Sequence, residues 1–431
     1  MDFSTSSAAA LWLERLVHFM DTYVLPYNAA WYQSVQDGVY PPPFLSDLKA
    51  MAQEEGLWNL FLPELLESEP GTRLSNLDYA PLAEYMGRVP WAAEVFNCNA
   101  PDTGNMALLH RFGTSAQRAR WLQPLLQGQI RSAFAMSEPD VASSDPTNLQ
   151  TVVSRQGDEW VLNGRKWFIT GAAHPDCRLL IVMCRNAPDA ADTPDHGTHQ
   201  QHSLVLVPMD TAGVSLVRNI AVVHHHAPEG HCEMLLKDVR VPLDHLLGGW
   251  GQGFLLGQAR LGPGRVHHCM RTIGQCELAL QLATERALER EAFGRHLSDY
   301  ANVQEWLAQS RIEIDQARLL VLQVAWMLDQ EGLDPHRLRA QVAAIKVVAA
   351  QLQTRVVDRA MQVFGAMGLS PDTPLAYFWT WGRALHLMDG PDEVHLRTVA
   401  RYEFEKARAH LGESSAYFTT PEQMQRPPRI R

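Results

Sequence analysis

The sequence predicts a mainly α protein with a middle, antiparallel β domain and a C-terminal four-helix bundle. Two observations support this prediction. Apolar residues recur with a helical period over residues 1–132 and again over residues 253–412. Residues 133–252 instead carry short apolar runs separated by polar or Gly/Pro/Asp segments, as strands and their connections do. This order of helices, sheet and bundle indicates a cofactor held at a junction between layers.

The first part, residues 1–132, is predicted to be an N-terminal helical domain. From Leu11 to Val24, apolar residues recur every three to four positions, as a one-sided helix requires. The run Trp121–Leu126 ends another helical stretch, and prolines at positions 41–43 and 101 separate the segments. Nothing at the N-terminus has the basic and apolar regions of a signal peptide.

The second part, residues 133–252, is predicted to be the middle β domain. Asn163-Gly164, between two apolar runs, predicts a hairpin turn. The polar stretch from Asn186 to His202 predicts a surface loop. The apolar runs that predict strands are residues 151–153, 160–162, 179–183 and 203–207.

The third part, residues 253–412, is predicted to be a bundle of four helices. One seam is spaced 4, 3, 4, 3 and 4, and its members are Leu338, Val342, Ile345, Ala349, Leu352 and Val356. Breaks are expected near Gly294, near Gly332 and over the stretch from Gly365 to Pro374. Residues 413–431, which contain three prolines and three arginines, are predicted to form a flexible tail.

Composition excludes several classes of function. The chain has 431 residues, with 37 Lys and Arg against 48 Asp and Glu, which gives a net charge of −11. An acidic surface does not favour the phosphate backbone, so no nucleic-acid partner is expected. No stretch approaches the ~18 apolar residues of a membrane span. We therefore expect a soluble cytoplasmic protein.

Cysteine and histidine patterns predict no metal site. The six cysteines form no CxxC pair, which favours scattered reduced thiols over a zinc site or a disulfide framework. His224, His225 and His226 are consecutive, with His231 nearby. If they lie on a strand, consecutive residues point to opposite faces, so the three cannot share a metal ion.

Five segments have residue types suited to ligand binding. Phe134–Asp145 combines hydroxyls, carboxylates and small residues that could contact a heterocycle or a phosphate, or form a capped turn. Lys166–Gly171 has two aromatics and a threonine that could flank a flat ring, or belong to an ordinary strand. Arg290–Arg295 ends a helix, with Gly294 expected at the C-cap, and Arg290 could instead bind a diphosphate.

The remaining two segments lie near helix ends. Gln362–Leu369 contains two glycines three apart, which permit close approach of a ligand or simply end a helix. Met388–His395 gathers three carboxylates at a Gly-Pro break, where Asp392 and Glu393 suit the first turn of a helix. Asp389, before the glycine, could project into a cleft. Neither glycine-rich stretch of the chain fits a dinucleotide-binding fingerprint.

Together these segments, in this order and spacing, resemble the acyl-CoA dehydrogenase family over about residues 10–410. The similarity includes Met136-Ser137-Glu138-Pro139 with Ser144-Asp145, and Gln362-x-x-Gly365-x-x-Gly368. Between them, Gly230-His231-Cys232-Glu233 and residues 239–242 and 246–248 are similar to the end of the family's β domain. The chain is most similar to a branch found as the dehydrogenase domain of larger eukaryotic proteins that also carry kinase-like domains.

This resemblance implies an FAD-dependent enzyme of fatty acid β-oxidation that removes hydrogen from the α and β carbons of an acyl-CoA. It implies a homotetramer or homodimer, with FAD between the β domain and the bundle, and an electron-transfer flavoprotein or similar acceptor. A neighbouring subunit would contact the diphosphate region. The implied substrate-side residues are Ser144, Arg265 and Gly390. The implied FAD residues are Phe134, Met136, Ser137, Phe168, Ile169, Thr170, Arg290, Phe293, Gln362, Gly365, Ala366, Pro391 and Glu393.

The chain departs from the family at the base. The family usually has glutamate before the glycine numbered Gly390 here, but this chain has Asp389. A minority carries its base just before the arginine that matches Arg265, and that position is Gly264. The resemblance therefore implies Asp389 as the base, with its own backbone N–H and FAD stabilising the enolate oxygen. Bound acyl chain and flavin are expected to raise its pKa.

Two further departures concern the flavin segments. Phe168 replaces the usual tryptophan, with Trp167 one position earlier, and the first signature is one residue longer at Asp140-Val141-Ala142. Three alternatives stay open at this point. The chain could be an acyl-CoA or nitroalkane oxidase of the same fold, the latter notable for an aspartate base. It could be a DNA-associated flavoprotein of the alkylation-response type, or a purely structural helical protein.

Overall fold

Short helices form the N-terminal part of the chain in the computed structural model, which describes residues 6–187 and 200–419. They are α1 (Ser7–Phe19), α2 (Asn28–Gln36), α3 (Phe44–Glu54), α4 (Asn76–Gly87), α5 (Ala92–Val95), α6 (Asp102–Phe112), α7 (Ser115–Gln117) and α8 (Gln123–Leu126). The helix predicted from Leu11 to Val24 is confirmed. It starts at Ser6, whose hydroxyl caps the Ala9 N–H, and continues beyond Phe19 as one π-helical turn.

The middle part is a single twisted sheet. Its strands are β1 (Arg131–Ala135), β2 (Val152–Gln156), β3 (Glu159–Thr170), β4 (Cys177–Asn186), β5 (His202–Pro208), β6 (Val214–Asn219), β7 (His231–Pro242) and β8 (Leu246–Leu247). They run in the order β6-β7-β3-β2-β4-β5-β8, with β1 beside β4. A wholly antiparallel sheet was predicted, and this is wrong. The connection after β3 crosses over, and β4 pairs in parallel with both β1 and β2.

The hairpin turn predicted at Asn163-Gly164 is wrong. Both residues lie within β3, at a bulge where its register against β7 shifts. A Cβ on Gly164 would come within 2.3 Å of the Thr151 hydroxyl, so this glycine allows two strands to approach closely. The turn between β2 and β3 is instead at Gly157, whose φ is 62°.

Long helices form the C-terminal part. They are α9 (Gly253–Glu289), α10 (Ala301–Leu328), α11 (Pro335–Phe364), α12 (Leu375–Leu385) and α13 (Asp392–Ala409), with a small hairpin of β9 (Glu291–Ala292) and β10 (Arg295–His296) after α9. The predicted seam from Leu338 to Val356 lies on α11, and all its members after Leu338 are buried. The predicted fold class of helices, β domain and helical bundle is confirmed.

The C-cap expected at Gly294 is wrong. Helix α9 ends at Glu289, and Arg290 is its C-cap residue in an extended conformation. Phe293 and Gly294, with φ of 51° and 80°, form the turn between β9 and β10. Two consecutive positive φ angles suit the tight turn of a two-residue hairpin, which explains the glycine.

Three segments outside the main helices and strands were predicted from the sequence. The consecutive histidines from His224 to His226 lie in a turn rather than on a strand, because Val222 and His225 are bridged. Most of the loop predicted between Asn186 and His202, residues 188–199, lies outside the described residues. The predicted tail from Glu413 begins with a short turn to Tyr417, and residues 420–431 lie outside the described residues.

Two apolar cores lie on either side of the sheet. Side chains alternate along β4, so Leu179 and Ile181 join the core shared with the helices, whereas Leu180 and Val182 join the core on the other side. All six cysteines are free and buried, and burial raises the pKa of each thiol above its usual value. None of the helices described is both long and apolar enough to cross a bilayer.

Glycines allow α4 and α9 to pack closely. A Cβ on Gly274 would lie 1.8 Å from the Glu84 carbonyl oxygen, and one on Gly87 would lie 2.2 Å from that of Arg271. Such distances leave no room for any side chain. The first part of α9, which carries several groups described below, is thereby fixed against the N-terminal helices.

We predict that Gly274→Ala lowers the free energy of unfolding by roughly 1 to 3 kcal/mol, because its methyl group forces the two helices apart. Gly262→Ala is the matched control on the same helix, since a Cβ there meets nothing within 4 Å. It should stabilise by up to about 1 kcal/mol through helix propensity. Urea unfolding followed by circular dichroism measures both, and equal effects would contradict the packing argument.

Candidate active site

Asp389 lies in the turn between α12 and α13, and local contacts fix this turn. Asp389 and Gly390 have φ of 53° and 103°. The His386 carbonyl accepts the Asp392 N–H at 3.1 Å, and His386 Nδ1 lies 2.6 Å from Asp392 Oδ2. A Cβ on Gly390 would lie 2.9 Å from the ring of His395, so a glycine is required there. As predicted, Asp392 and Glu393 occupy the first turn of α13.

The backbone carbonyl of Asp389 connects the turn to neighbouring helices. Arg265 Nε donates to it at 2.9 Å from α9, and His395 Nε2 lies 3.2 Å from it on α13. The buried ammonium of Lys346 on α11 donates to the Leu385 carbonyl, just before the turn. Arg265, predicted on the substrate side, therefore contacts the turn that carries Asp389.

Three cations and one imidazole lie near the Asp389 carboxylate. The side chain is about a quarter exposed, and His268 Nε2 lies 3.3 Å from its Oδ2. Burial alone raises the pKa of this carboxyl, but the imidazole of His268 and the cations of Arg260, Arg265 and Lys346 outweigh burial and hold the pKa below its usual value. The pKa of Asp389 was expected to rise when acyl chain and flavin are bound. In the protein alone it is lowered, because these cations lie close to the carboxylate.

The first turns of α9 supply a polar surface beside Phe134. The Arg260 guanidinium lies over the Phe134 ring at 4.2 Å, and its Nε donates to Asn105 Oδ1 at 2.8 Å. Burial lowers the pKa of Arg260 to about 10, so it is still charged at neutral pH. A Cβ on Gly264 meets nothing within 4 Å, which leaves open space next to Arg265.

A buried ion pair holds the loop after β1. Lys166 Nζ donates to Glu138 Oε1 at 2.8 Å and to the carbonyls of Met136 and Met183. Both charged side chains are almost completely buried. The Glu138 carboxylate also accepts the backbone N–H groups of residues 150 and 151. This pair fixes the path of the segment that contains Met136 and Ser137.

The two predicted flavin segments lie side by side. The Ser137 carbonyl accepts the Trp167 N–H at 3.0 Å. Phe168 has a φ of 52° at the second bulge of β3, and its side chain is 43% exposed. The Thr170 hydroxyl lies 3.0 Å from His231 Nδ1. Phe134–Ser137 and Phe168–Thr170 are thus brought together, whereas Ser144 is exposed on the loop.

A second group of predicted residues lies at the far end of the bundle. Arg290 and Phe293 follow α9, and Gln362, Gly365 and Ala366 end α11. The helical rise places the end of α9 about 30 Å from the turn of α9 that contacts Asp389. Within one chain this second group is therefore far from Asp389. Pro391 and Glu393, in contrast, lie next to Asp389 in the chain.

An unpaired buried atom near Thr170 indicates where a ligand with polar ring atoms fits. His231 Nε2 has no hydrogen-bond partner in the described chain, and its ring lies 5.4 Å from that of Trp381. Burial lowers the pKa of His231 to about 4, so the ring is neutral at pH 7. Together with exposed Phe168, these groups fit a flat heterocycle with hydrogen-bonding edges.

Arg260, His268 and Lys346 are not among the site residues predicted from the sequence. A signal was present for two of them, because Arg260, Gly264, His268 and Arg271 recur at helical spacing on α9. These four residues lie on one face of α9, and none of them has a large apolar side chain. Lys346 gave no signal, since it interrupts an apolar seam and a lone lysine there does not identify a site.

Comparison with known proteins assigns the family. Models of the N-terminal, middle and C-terminal domains of acyl-CoA dehydrogenases match residues 7–129, 133–239 and 251–403. The chain belongs to the acyl-CoA dehydrogenase family. The resemblance stated from the motifs is confirmed, and members of this family are oxidoreductases.

Individual acyl-CoA dehydrogenases are similar over most of the chain. The probable acyl-CoA dehydrogenase FadE2 of Mycobacterium tuberculosis is 51% identical over 415 residues, which cover 95% of this chain and 98% of that protein. A putative acyl-CoA dehydrogenase structure from Mycobacterium abscessus is 46% identical with a TM-score of 0.86, covering 94% and 99% of the two chains. Acyl-CoA dehydrogenase family member 10 of Mus musculus is 47% identical, but this chain spans only 36% of it.

We predict that Lys166→Met lowers the free energy of unfolding by roughly 3 to 5 kcal/mol, because it leaves the Glu138 carboxylate buried without its partner. The double variant Lys166→Met, Glu138→Gln should recover part of this loss, since no unpaired charge remains. Urea unfolding of the wild type and the variants, including Glu138→Gln alone, gives the coupling energy. Additive losses would show that the two side chains do not act as a pair.

Proposed function

We propose that this chain is an FAD-dependent enzyme that converts an acyl-CoA thioester to the trans-2-enoyl-CoA, with Asp389 as the base that removes the α-proton. The observation that carries the proposal is the Asp389 carboxylate. It is ionised, about a quarter exposed, and fixed by a turn that three helices hold. Its position before Gly390 is where the family carries its base.

The surroundings of Asp389 suit proton removal from a weak carbon acid. The pKa below its usual value keeps the carboxylate ionised at neutral pH, so it is ready to accept a proton. An acyl chain packed against it would exclude water and make the carboxylate more basic. The open space next to Gly264 gives room for the substrate on this side of α9.

The enolate oxygen requires donors at the moment the proton leaves. The family resemblance assigns the Asp389 backbone N–H to this role. Arg265, which donates to the carbonyl of the same residue, would fix the direction of that peptide. Ser144 and Gly390 are proposed on the substrate side.

The FAD site is proposed to have two parts. Phe134, Met136, Ser137, Phe168, Ile169 and Thr170 would hold the ring, with Pro391 and Glu393 nearby. When bound, FAD supplies the acceptor for the hydride of the β-carbon. The residues proposed for the diphosphate region are Arg290, Phe293, Gln362, Gly365 and Ala366.

The distance between these two groups supports a homodimer or homotetramer. The Phe293 side chain is fully exposed, and the residues around it at the end of the bundle are mostly exposed as well. A second subunit would bring its diphosphate group to the ring site of the first, and the sites would then be shared. We also propose a cytoplasmic location and an electron-transfer flavoprotein or similar acceptor.

We predict that Asp389→Asn lowers the rate of flavin reduction by an acyl-CoA at least about a hundredfold, because no base remains. Asp389→Glu should retain more activity than the amide. Anaerobic stopped-flow absorbance measures flavin bleaching, with exposed Glu403 on α13 changed to Gln as the control. Near wild-type bleaching by Asp389→Asn would exclude it as the base. Rapid reaction of the reduced flavin with oxygen would instead indicate an oxidase.

We predict that Phe293→Ser weakens FAD binding at least about tenfold while the melting temperature of the apoprotein stays near that of the wild type, because the side chain is fully exposed within one chain. Leu369→Ser, at another exposed apolar residue close to the end of α11, is the comparison. Fluorescence titration with FAD measures the affinity, thermal unfolding followed by circular dichroism measures the melting temperature, and sedimentation velocity measures the assembly. Unchanged affinity and unchanged assembly would contradict the shared site.

A further inference from the structure

His268 lies between Arg271 and Asp389. It is one helical turn beyond Gly264 and Arg265 on α9. Its Nδ1 lies 3.3 Å from an Nη atom of Arg271, and its Nε2 lies 3.3 Å from Asp389 Oδ2, although the Nε2–H is not aligned with this oxygen as a hydrogen bond. The His268 side chain is 27% exposed and that of Asp389 is 25% exposed, so their contact is partly shielded from water. Arg271, His268 and Asp389 form a continuous chain of polar contacts.

This chain of contacts fixes the tautomer of His268. A guanidinium only donates hydrogen bonds, so Arg271 must donate and Nδ1 must accept. In the neutral ring the proton is then on Nε2, the atom that faces the Asp389 carboxylate. A second proton on Nδ1 would point towards the Arg271 cation, and the contact would become repulsive.

The charges around the ring also oppose its protonation. Burial, together with Arg271, Lys346 and Arg260, lowers the pKa of His268 to about 4, although Asp389 acts in the opposite direction. The groups that face the pair are Arg260, Arg265 and Arg271 from α9, Lys346 from α11, and His395 and Asp392 from α13. At neutral pH His268 is therefore a neutral donor beside an ionised acceptor.

We propose that His268 is a positioning residue for Asp389: a small rotation of the ring aligns its Nε2–H with Oδ2, 3.3 Å away, and this hydrogen bond leaves Oδ1 to take up the α-proton. This inference rests on the proposed role of Asp389. A neutral donor suits a base better than a cation in the same place, because the carboxylate is oriented without a strong ion pair that would oppose protonation. Arg271 contributes by keeping Nδ1 as an acceptor.

The experiment compares two replacements of His268. His268→Leu keeps much of the volume and removes the donor, whereas the side-chain amide of His268→Gln can place an N–H near the position of Nε2. The neighbouring His267→Leu is the matched control, since His267 packs against Phe61 and Tyr79 and has no hydrogen-bond partner in the described chain. The rate of flavin reduction is measured anaerobically against pH on each FAD-loaded protein with the same acyl-CoA.

His268→Leu should lower the plateau rate about tenfold, because a hydrogen bond to a charged group is lost. It should also move the acid limb about one pH unit upwards. The Nε2–H donor favours the ionised carboxylate, so removing it raises the pKa of Asp389. On acidification the variant therefore loses activity at a higher pH than the wild type. His268→Gln should restore most of the rate and the position of the limb, and His267→Leu should leave the limb unchanged.

A second readout does not depend on activity. Infrared difference spectra of the ligand-free protein during acid titration follow protonation of the carboxyl, and the band of Asp389 is identified by its loss in Asp389→Asn. The band should titrate at higher pH in His268→Leu than in the wild type and in His268→Gln. An unchanged titration in His268→Leu, or a Gln variant that behaves like Leu, would overturn the inference.

The two levels of proposal fail in different ways. If Asp389→Asn still reduces flavin rapidly, Asp389 is not the base and the inference falls with the proposed function. If Asp389→Asn is inactive but His268→Leu keeps the wild-type rate and acid limb, only the role of His268 is wrong.

Discussion

The backbone carbonyl of Asp389 is the junction on which the candidate site depends. Donors from α9 and α13 meet at this one oxygen, and Lys346 of α11 holds the chain four residues earlier, at the Leu385 carbonyl. A left-handed conformation costs a non-glycine residue roughly 1 to 2 kcal/mol, so the turn needs such support. Three helices thereby determine where one carboxylate lies, although none of the three donors binds the carboxylate itself.

Two other groups of buried charges in the described part of the chain are paired with opposite charges. Lys166 is matched by Glu138, and Arg131 contacts both Asp102 and Glu94 beneath β1. These pairs hold the loop and the strand that line one side of the site. Around Asp389, in contrast, positive groups outnumber the carboxylate, which keeps it ionised and leaves the pocket with an excess of positive charge.

The sequence predicted the elements better than their connections. Helix α11 was predicted correctly because apolar residues that recur at helical spacing from Leu338 to Val356 fit few other structures. The hairpin prediction at Asn163-Gly164 was wrong because the same dipeptide that suits a turn also suits a bulge, here one that Thr151, just before the neighbouring strand β2, approaches closely. Parallel pairing of β1 with β4 depends on a crossover, for which local sequence contains no signal.

For the site, the motifs identified Asp389 and the segments that the structure brings together at β1 and β3, but not the electrostatics. The pKa of a carboxyl depends on residues far away in sequence, such as Arg260 and Lys346, and no spacing rule connects them to position 389. The distance between Arg290 and Asp389 could not be predicted from any single motif either. It required the length of α9, which only the complete helix gives.

Because all six thiols are buried, their reaction with an alkylating reagent reports local opening of the protein. A buried thiol with a raised pKa reacts slowly with an alkylating reagent, so modification at neutral pH has to wait for a fluctuation that exposes the sulfur. The sulfurs are distributed over every layer: Cys98 among the N-terminal helices, Cys177, Cys184 and Cys232 on the sheet, and Cys269 and Cys276 on α9. Mass spectrometry of timed alkylation would rank the layers by how readily each one loosens.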